Sequence, residues 1–260
     1  MNREQLGKKE TYELWYELFK LALQGMNIGL SNGDVFSSGE ENVCNLLKDF
    51  GTVTTLFDVG ANAGDYTKML SSHFPNAKIH CFEPAKESFN KIKDNLGNNE
   101  NIILNNIGIS DNIGESNLYY DIDGSRLASL YKRDLDYLNI NFTESEVVPL
   151  TTLDDYCKKN HIGTIDFLKM DIEGNELRAL MGSKQLLAEK RICAIQIEFG
   201  GCNIDSRTYF KDFWNLLHKD YDVYRILKNG FWKISNYTEK LECFSSTNFL
   251  FLQKNLNGSI

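Results

Sequence analysis

Two pairs of polar side chains stand where buried strands should be apolar. In TIDFLKMD (164–171), Lys169 and Asp171 lie two residues apart and share a face. Gln196 and Glu198 do the same in ICAIQIEF (192–199). Strands buried in a parallel sheet normally read as unbroken apolar runs, so polar residues at their ends need partners or a purpose. Ligands in open α/β sheets bind outside the carboxyl ends of the strands. Asp171 and Glu198, with Lys169 beside them, therefore form a candidate reaction centre. Such carboxylates could take a proton from a hydroxyl, or they could hold Mg²⁺, a hard cation that prefers oxygen ligands. The spacing leaves both open, and a purely structural lysine–carboxylate pair is the alternative. Glu173 and Glu176 flank Gly174 at a helix start, where acids often serve only the helix dipole, and they carry less weight.

A second constellation lies upstream. The run Asp58-Val-Gly60-Ala61-Asn62-Ala-Gly64-Asp-Tyr66 falls where a strand should turn into a helix. Glycines there let the backbone approach a ligand, and the helix N-terminus beyond favours a carboxylate or phosphate. Glu83 ends the next strand, at the position from which a carboxylate accepts hydrogen bonds from ribose hydroxyls. A dinucleotide fingerprint would need a second glycine where Asn62 stands. Asp58 would repel a pyrophosphate and welcome an ammonium group. An adenosine cofactor with an amino-acid tail, such as S-adenosylmethionine, suits this turn better.

These residues need a scaffold that brings strand ends together. From Thr54 onward short apolar runs alternate with helical stretches near 64–73, 86–96, 174–189 and 206–219. The alternation predicts an α/β fold with a mostly parallel sheet and helices on both faces. Residues 115–153 break the rhythm and read as extra strands around a mobile loop. Tyr12, Trp15, Tyr16, Phe19 and Leu23 fall on one stripe of a helix over 11–24. The division expected is a helical appendage over 1–50 and one structural unit over 51–260.

Composition narrows the function classes. The 260 residues carry 28 Lys+Arg against 36 Asp+Glu, a net charge of −8. No basic block offers a phosphate-neutralising face, which disfavours nucleic-acid binding. No apolar run suits a leader or a membrane span, so a cytoplasmic location without membrane insertion is expected. Cys44, Cys81, Cys157, Cys193, Cys202 and Cys243 lack metal-type spacing and read as reduced thiols. His73, His80, His161 and His218 are not expected to reach the cofactor side. Thr151-x-x-Asp154 and Thr152-x-x-Asp155 read as capping boxes. The segment 123–129 with Lys132 and Arg133 reads as a lid or a solvated loop, and Asn203 and Arg207 are placed near strand 5. A nicotinamide-dependent enzyme would show Tyr-x-x-x-Lys, but Tyr156 is followed by Asn160 and Tyr237 by Leu241. An amino-directed nucleic-acid methyltransferase would show a Pro-Pro-aromatic turn where Asp-Ile-Glu-Gly stands.

Taken together, DVGANAGDY, CFEP, NNIGISD, the Ser125–Leu130 segment, TLDDY, KMDIEGNE and IQIEF resemble the FkbM family of S-adenosylmethionine-dependent methyltransferases over about residues 36–252. The resemblance implies the seven-stranded Rossmann-like sheet of the class I superfamily. It also implies O-methylation of a hydroxyl on a sugar, including a nucleotide-activated sugar for a bacterial surface polysaccharide, with a small secondary metabolite as the alternative acceptor. Carried over, Asp58, Gly60, Ala61, Asn62, Gly64 and Tyr66 would line the methionine end. Glu83, followed by Pro84, would hold the ribose, and Asn106 and Ile107 would border the adenine. Asp171 and Glu198 would face the acceptor. Substrate choice is expected around Tyr119–Tyr137. The stripe of Trp15, Tyr16 and Phe19 is a plausible surface for a homodimer.

Overall fold

The computed structural model describes residues 6–30 and 38–256. Residues 1–5, and the first two of the family resemblance, lie outside them. Eleven strands occur among the described residues. The first six are β1 (Thr55–Val59), β2 (Lys78–Phe82), β3 (Ile102–Asn105), β4 (Gly108–Ile109), β5 (Gly114–Tyr120) and β6 (Glu144–Thr151). The rest are β7 (Ile165–Met170), β8 (Ile192–Phe199), β9 (Tyr221–Leu227), β10 (Gly230–Ile234) and β11 (Thr247–Gln253). Eight of them build one sheet in the order β10-β9-β11-β8-β7-β1-β2-β3. Neighbours from β3 through β8 run parallel, while β11 lies antiparallel between β8 and β9.

The sheet thus corrects the expected count of seven. The additional strand, β10, pairs antiparallel with β9 at the edge, where Gly230 follows a two-residue turn. The run 101–110 also divides. Its first half is β3, while β4 leaves for a separate three-stranded sheet of order β4-β6-β5.

Helices cover both faces, as the alternation predicts. On one face α2 (Glu41–Lys48), α3 (Asp65–His73) and α4 (Lys86–Leu96) bury Val43, Leu47, Leu70 and Ile92 against Leu56, Ile79 and Phe167. On the other, α5 (Leu153–Lys159), α6 (Glu176–Met181), α7 (Lys184–Ala188) and α9 (Phe210–Leu217) bury Leu153, Leu180, Leu186 and Phe213 against Phe57, Leu168 and Ile195. Truncating the fully buried Phe57 to alanine would cost about 3–5 kcal/mol, by the transfer and cavity terms together. The short helix α8 (Cys202–Asp205) follows β8. Helix α1 (Tyr12–Gly25) buries none of its residues, whereas α2 contributes four, so the core takes in part of the stretch before residue 51.

Local chemistry explains where helices differ from expectation. The stretch 174–189 is interrupted at Gly182, where a side chain would collide with the Ser110 carbonyl. The second half starts afresh because Asp154 accepts the amides of Gln185 (2.9 Å) and Leu186 (3.0 Å). Asp154 therefore caps α7 and forms no box with Thr151. Thr152 does cap α5, its hydroxyl accepting from the Asp155 amide at 3.1 Å, but the Asp155 carboxylate turns to Thr151 and Lys159 instead of closing the box. Helix α9 begins only at Phe210, where Tyr209 and Asp212 form a capping box. All six cysteines are free thiols.

Candidate active site

Strand order reverses at β1: β2 and β3 extend the sheet to one side of it, and β7 and β8 to the other. Open α/β sheets form a ligand crevice at such a point, and a cleft lies there. Gly60, Ala61, Asn62, Tyr66, Glu83, Pro84, Ile107, Lys169, Asp171 and Glu198 all line it.

The glycine elbow is shaped by backbone conformation. Gly60 (φ 82°), Asn62 (φ 46°) and Gly64 (φ 89°) are left-handed, a region glycine enters freely and asparagine more readily than most. A side chain at Gly60 would strike the carbonyl oxygen of Asp171, so the glycine elbow and the end of β7 are in direct contact. Gly64 does not line the cleft. It caps the N-terminus of α3 and packs closely on Leu96.

Glu83 is buried at the cleft wall, its two carboxylate oxygens accepting the amides of Asn62 and Ala85, each at 2.8 Å. Burial, opposed by these two amides, pushes its carboxyl up to about 7. Asn106 lies behind this turn and donates to the carbonyls of Glu83 (2.9 Å) and Pro84 (3.0 Å). It braces the wall instead of lining it. Phe82, Ile107, Leu118 and Leu130 make this end of the cleft apolar.

Asp58 departs most from its expected position. Its carboxylate is fully buried and absent from the cleft lining, because strand alternation turns it onto the α3 face. There it accepts the Thr67 hydroxyl at 2.6 Å. Cys81, Asp58, Lys169 and Gln196 are register partners on β2, β1, β7 and β8, so they form one polar row across the sheet. Lys169 Nζ lies 3.5 Å from Asp58, 3.6 Å from Asp171 and 5.0 Å from the Tyr66 ring centroid. Burial opposes its charge, but Asp58 and then Asp171 outweigh that and raise its pKa. Lys169 thus acts as the electrostatic tie of the row.

Beyond the row, Asp171 is partly exposed to the cleft, while Glu198 is held by the Ser246 hydroxyl. Carboxylate oxygens of Asp171, Glu173 and Glu198 lie within 4.8 Å of one another. Burial first, then the Asp171 charge, pushes Glu173 up to about 8 and raises Glu198 well above the usual carboxylate range. This trio is the set of described residues that could hold an oxygen-preferring cation. All three already have protein partners, Lys169 on Asp171, Arg133 on Glu173 and Ser246 on Glu198.

Among the lining residues that escaped the sequence reading of the cleft are Glu40, Glu173 and Asn248. Glu40, just before α2, accepts from Gln196 Nε2 (2.7 Å) and the Ser38 hydroxyl (2.6 Å). Gln196 in turn accepts from Tyr66 at 2.9 Å. Burial raises the pKa of Glu40, opposed by the Ser38 hydroxyl and by the more distant charge of Lys169. Glu173 reaches the cleft through a left-handed turn (φ 51°), and Asn248 from β11 completes the wall. Glu176 is structural, accepting the amides of Ile172 (2.8 Å) and Gly174 (3.3 Å).

The segment expected to be loose is tied down. Tyr119 and Ser129 exchange backbone hydrogen bonds, Asn62 donates to the Ser125 carbonyl (3.3 Å), and Arg126 pairs with Asp65 at 2.9 Å. Arg133 is buried and bridges Glu173 to Asp205, while Lys132 is exposed. Ser125, Arg126, Ala128 and Leu130 roof the cleft. Asn203 is buried, accepting from the Gly200 amide at 2.9 Å, and Arg207 is left-handed (φ 56°) between α8 and α9. Neither lines the cleft. No histidine lines it either, and His80 bonds Tyr156 at 2.8 Å, with burial lowering its pKa to about 4.

A doubly covered α/β sheet with a glycine elbow, a strand-end acid and a carboxylate centre at its switch point defines a Rossmann-like enzyme. Residues 58–226 match the family model described as the methyltransferase FkbM domain, and the chain belongs to that family of methyltransferases. Among relatives, it is 25% identical over 146 residues to the 2-O-methyltransferase NoeI of Sinorhizobium fredii (strain NBRC 101917 / NGR234). That match spans 52% of this chain and 60% of the relative. Among solved structures, methyltransferase FkbM from Methylobacillus flagellatus KT superposes with a TM-score of 0.47 at 17% identity, over 76% of this chain and 43% of that one. The N-terminal domain of human METTL16 in complex with SAH gives 0.45 at 14% identity, over 84% and 70%.

Proposed function

We propose that the chain binds S-adenosylmethionine in this cleft and methylates a hydroxyl of a sugar. The observation that carries the proposal is the arrangement of one cleft with two chemically different ends. Its apolar end, beside Glu83, suits an adenosine. Its other end gathers Asp171 and Glu198 beyond the polar row.

The residues present fit the donor. Glu83 retains lone pairs for ribose hydroxyls, and Phe82, Ile107 and Leu130 offer a slot for a flat base. Glu40, which accepts from Gln196 and Ser38 and forms no ion pair within 4 Å among the described residues, fits the α-ammonium group. The amides at the start of α3 fit the α-carboxylate. When bound, the donor supplies an electrophilic methyl group.

This chain's own residues do the rest. Asp171 and Glu198 orient the acceptor hydroxyl, and one of them accepts its proton. A carboxyl whose proton affinity is raised by burial, as that of Glu198 is, is a stronger base once ionised. Lys169 acts as a positioning residue by fixing Asp171. The roof formed by 125–130 excludes water from the reacting oxygen. Alignment of the two reactants supplies the larger share of the acceleration, on the order of 7–11 kcal/mol at best.

The acceptor end carries Asp171, Glu173 and Glu198. Carboxylates pair well with the hydroxyls of an uncharged saccharide and repel phosphate. The same acidity, with the net charge of −8, supports a small-molecule acceptor over nucleic acid. The NoeI relative is a 2-O-methyltransferase, which supports a hydroxyl acceptor. Calorimetry with S-adenosylhomocysteine, then methyl transfer to free glycans, nucleotide-sugars and small secondary metabolites, tests the proposal. Uptake of the demethylated donor and turnover on glycans are expected. Tight NAD binding with no S-adenosylhomocysteine uptake would overturn it.

A further inference from the structure

Polar atoms from three separate segments converge on one point over Gly201, just beyond the end of β8. A Cβ placed on Gly201 would have Arg133 Nη2 at 3.6 Å, the Phe244 carbonyl oxygen at 3.9 Å and the Tyr137 hydroxyl at 4.0 Å. None of these three atoms makes a hydrogen bond among the described residues. Arg133 spends Nη1 on Glu173 and Nε on Asp205, which leaves Nη2 free to donate into the hollow from a side chain only 6% exposed. Tyr137 is 73% exposed, so its ring stands open to solvent beside the same point.

The hollow adjoins the acceptor carboxylates without belonging to the cleft. Arg133, Tyr137, Gly201 and Phe244 are not among the cleft-lining residues. Gly201 nevertheless follows Glu198 by three residues, and Arg133 binds Glu173. Phe244 stands two residues before Ser246, whose hydroxyl holds Glu198. Gly200 packs closely on Ser246, where a side chain would meet the Ser246 Cα at 2.9 Å. The hollow is therefore a second position beside the proposed reaction centre.

Its chemistry selects a ligand. The guanidinium charge is already matched by Glu173 and Asp205, and the facing wall is a carbonyl, so a phosphate or carboxylate would be repelled. An ammonium group would meet Arg133. A hydroxyl suits all three atoms, because it accepts from Nη2 and donates to the carbonyl. A pyranose carries several hydroxyls on a ring with apolar C–H faces, which match an exposed tyrosine whose body is apolar and whose tip is polar.

We propose that this hollow is a subsite for a second sugar ring, so that the acceptor is an oligosaccharide with one ring in the cleft and its neighbour over Gly201. The proposal rests on the saccharide reading of the cleft given above. A nucleotide-sugar fits less well, since its diphosphate would have to lie among Asp171, Glu173 and Glu198 or against the Phe244 carbonyl.

Gly201→Ala is the discriminating change. The backbone there is helical (φ −59°) and the nearest atoms stand at van der Waals distance, so the methyl group fits without strain yet occupies the place of a ligand hydroxyl. Calorimetry on the S-adenosylhomocysteine complex would use methyl glycosides of glucose, galactose and N-acetylglucosamine, and the di- and trisaccharides of each. The wild type should bind the best oligosaccharide at least about tenfold more tightly than its methyl glycoside. G201A should abolish that gain, and Y137F should reduce it about three- to tenfold, the worth of one hydrogen bond. Both variants should keep wild-type affinity for S-adenosylhomocysteine and for the monosaccharides. Equal wild-type affinity for one ring and for several, or a gain that survives G201A, would overturn the subsite and leave the saccharide reading standing. Failure of every saccharide to bind the complex would overturn that reading and the subsite with it.

Discussion

Lys169 Nζ sits 3.5 Å from Asp58 Oδ1, a fully buried carboxylate oxygen that no hydrogen bond reaches. The two residues are register partners on adjacent parallel strands, so neither can turn away from the other without leaving the sheet. Replacing Lys169 by Met strands that charge in the interior. K169M should lose about 3–5 kcal/mol of unfolding free energy in urea, and D58N/K169M should recover part of the loss. A K169M protein as stable as the wild type would refute the buried-pair reading.

Asp171 and Glu198 should be separable from donor binding. D171A and E198Q are expected to lower methyl transfer by about 10²- to 10⁴-fold while S-adenosylhomocysteine affinity, read by calorimetry, stays within a few-fold of wild type. The proposal has no metal in it, so turnover should also survive EDTA. Loss of turnover restored by Mg²⁺ would move the Asp171, Glu173 and Glu198 cluster from base to metal ligand.

Glu40 makes a prediction that depends on which part of the ligand is present. E40Q should weaken S-adenosylhomocysteine by about tenfold or more, since an ammonium–carboxylate hydrogen bond is lost. It should leave 5′-methylthioadenosine, which lacks the amino-acid portion, unchanged. Equal losses for both ligands would assign Glu40 a purely structural role.

Stability should depend on pH through the raised carboxyls. Glu173 is pushed up to about 8 by burial and Asp171, above its ordinary value of 4.5. Between these values the folded state binds more protons than the unfolded chain, so unfolding free energy falls as pH rises. The contribution is fully present below pH 4.5 and is lost as pH passes 8. Thermal melting from pH 5 to 9 should therefore decline more steeply for the wild type than for E173Q, and parallel curves would contradict the shift.

The parts of the site that strand periodicity controls were legible beforehand. Alternation put Asp171 and Glu198 beyond neighbouring strand ends, and the glycines at 60 and 64 marked the elbow. Alternation also turns Asp58 inward, but a reading centred on the glycine turn gave it to the ligand. Glu40 lies fifteen residues before β1 and reaches the cleft only because α2 stacks on the sheet, a tertiary contact with no local signature. Glu173 looks like an ordinary first-turn acid until its left-handed conformation aims it at the cleft. Arg133 sits in a polar stretch that reads as solvated, and its burial depends on two acids forty and seventy-two residues away. The edge strand β10 was visible as an apolar run, but the superfamily count of seven left no place for it.

Because Gly60 abuts the carbonyl of Asp171, the two halves of the cleft, to which the proposed function gives the donor and the acceptor, are keyed to each other like adjoining stones. Drift on one side would unseat the other, so evolution or an engineer seeking a new acceptor has little freedom there. The roof over 125–130 meets the elbow through side-chain links such as Asn62 to Ser125, and under the proposed function it is the stretch where retargeting would leave the transfer machinery intact.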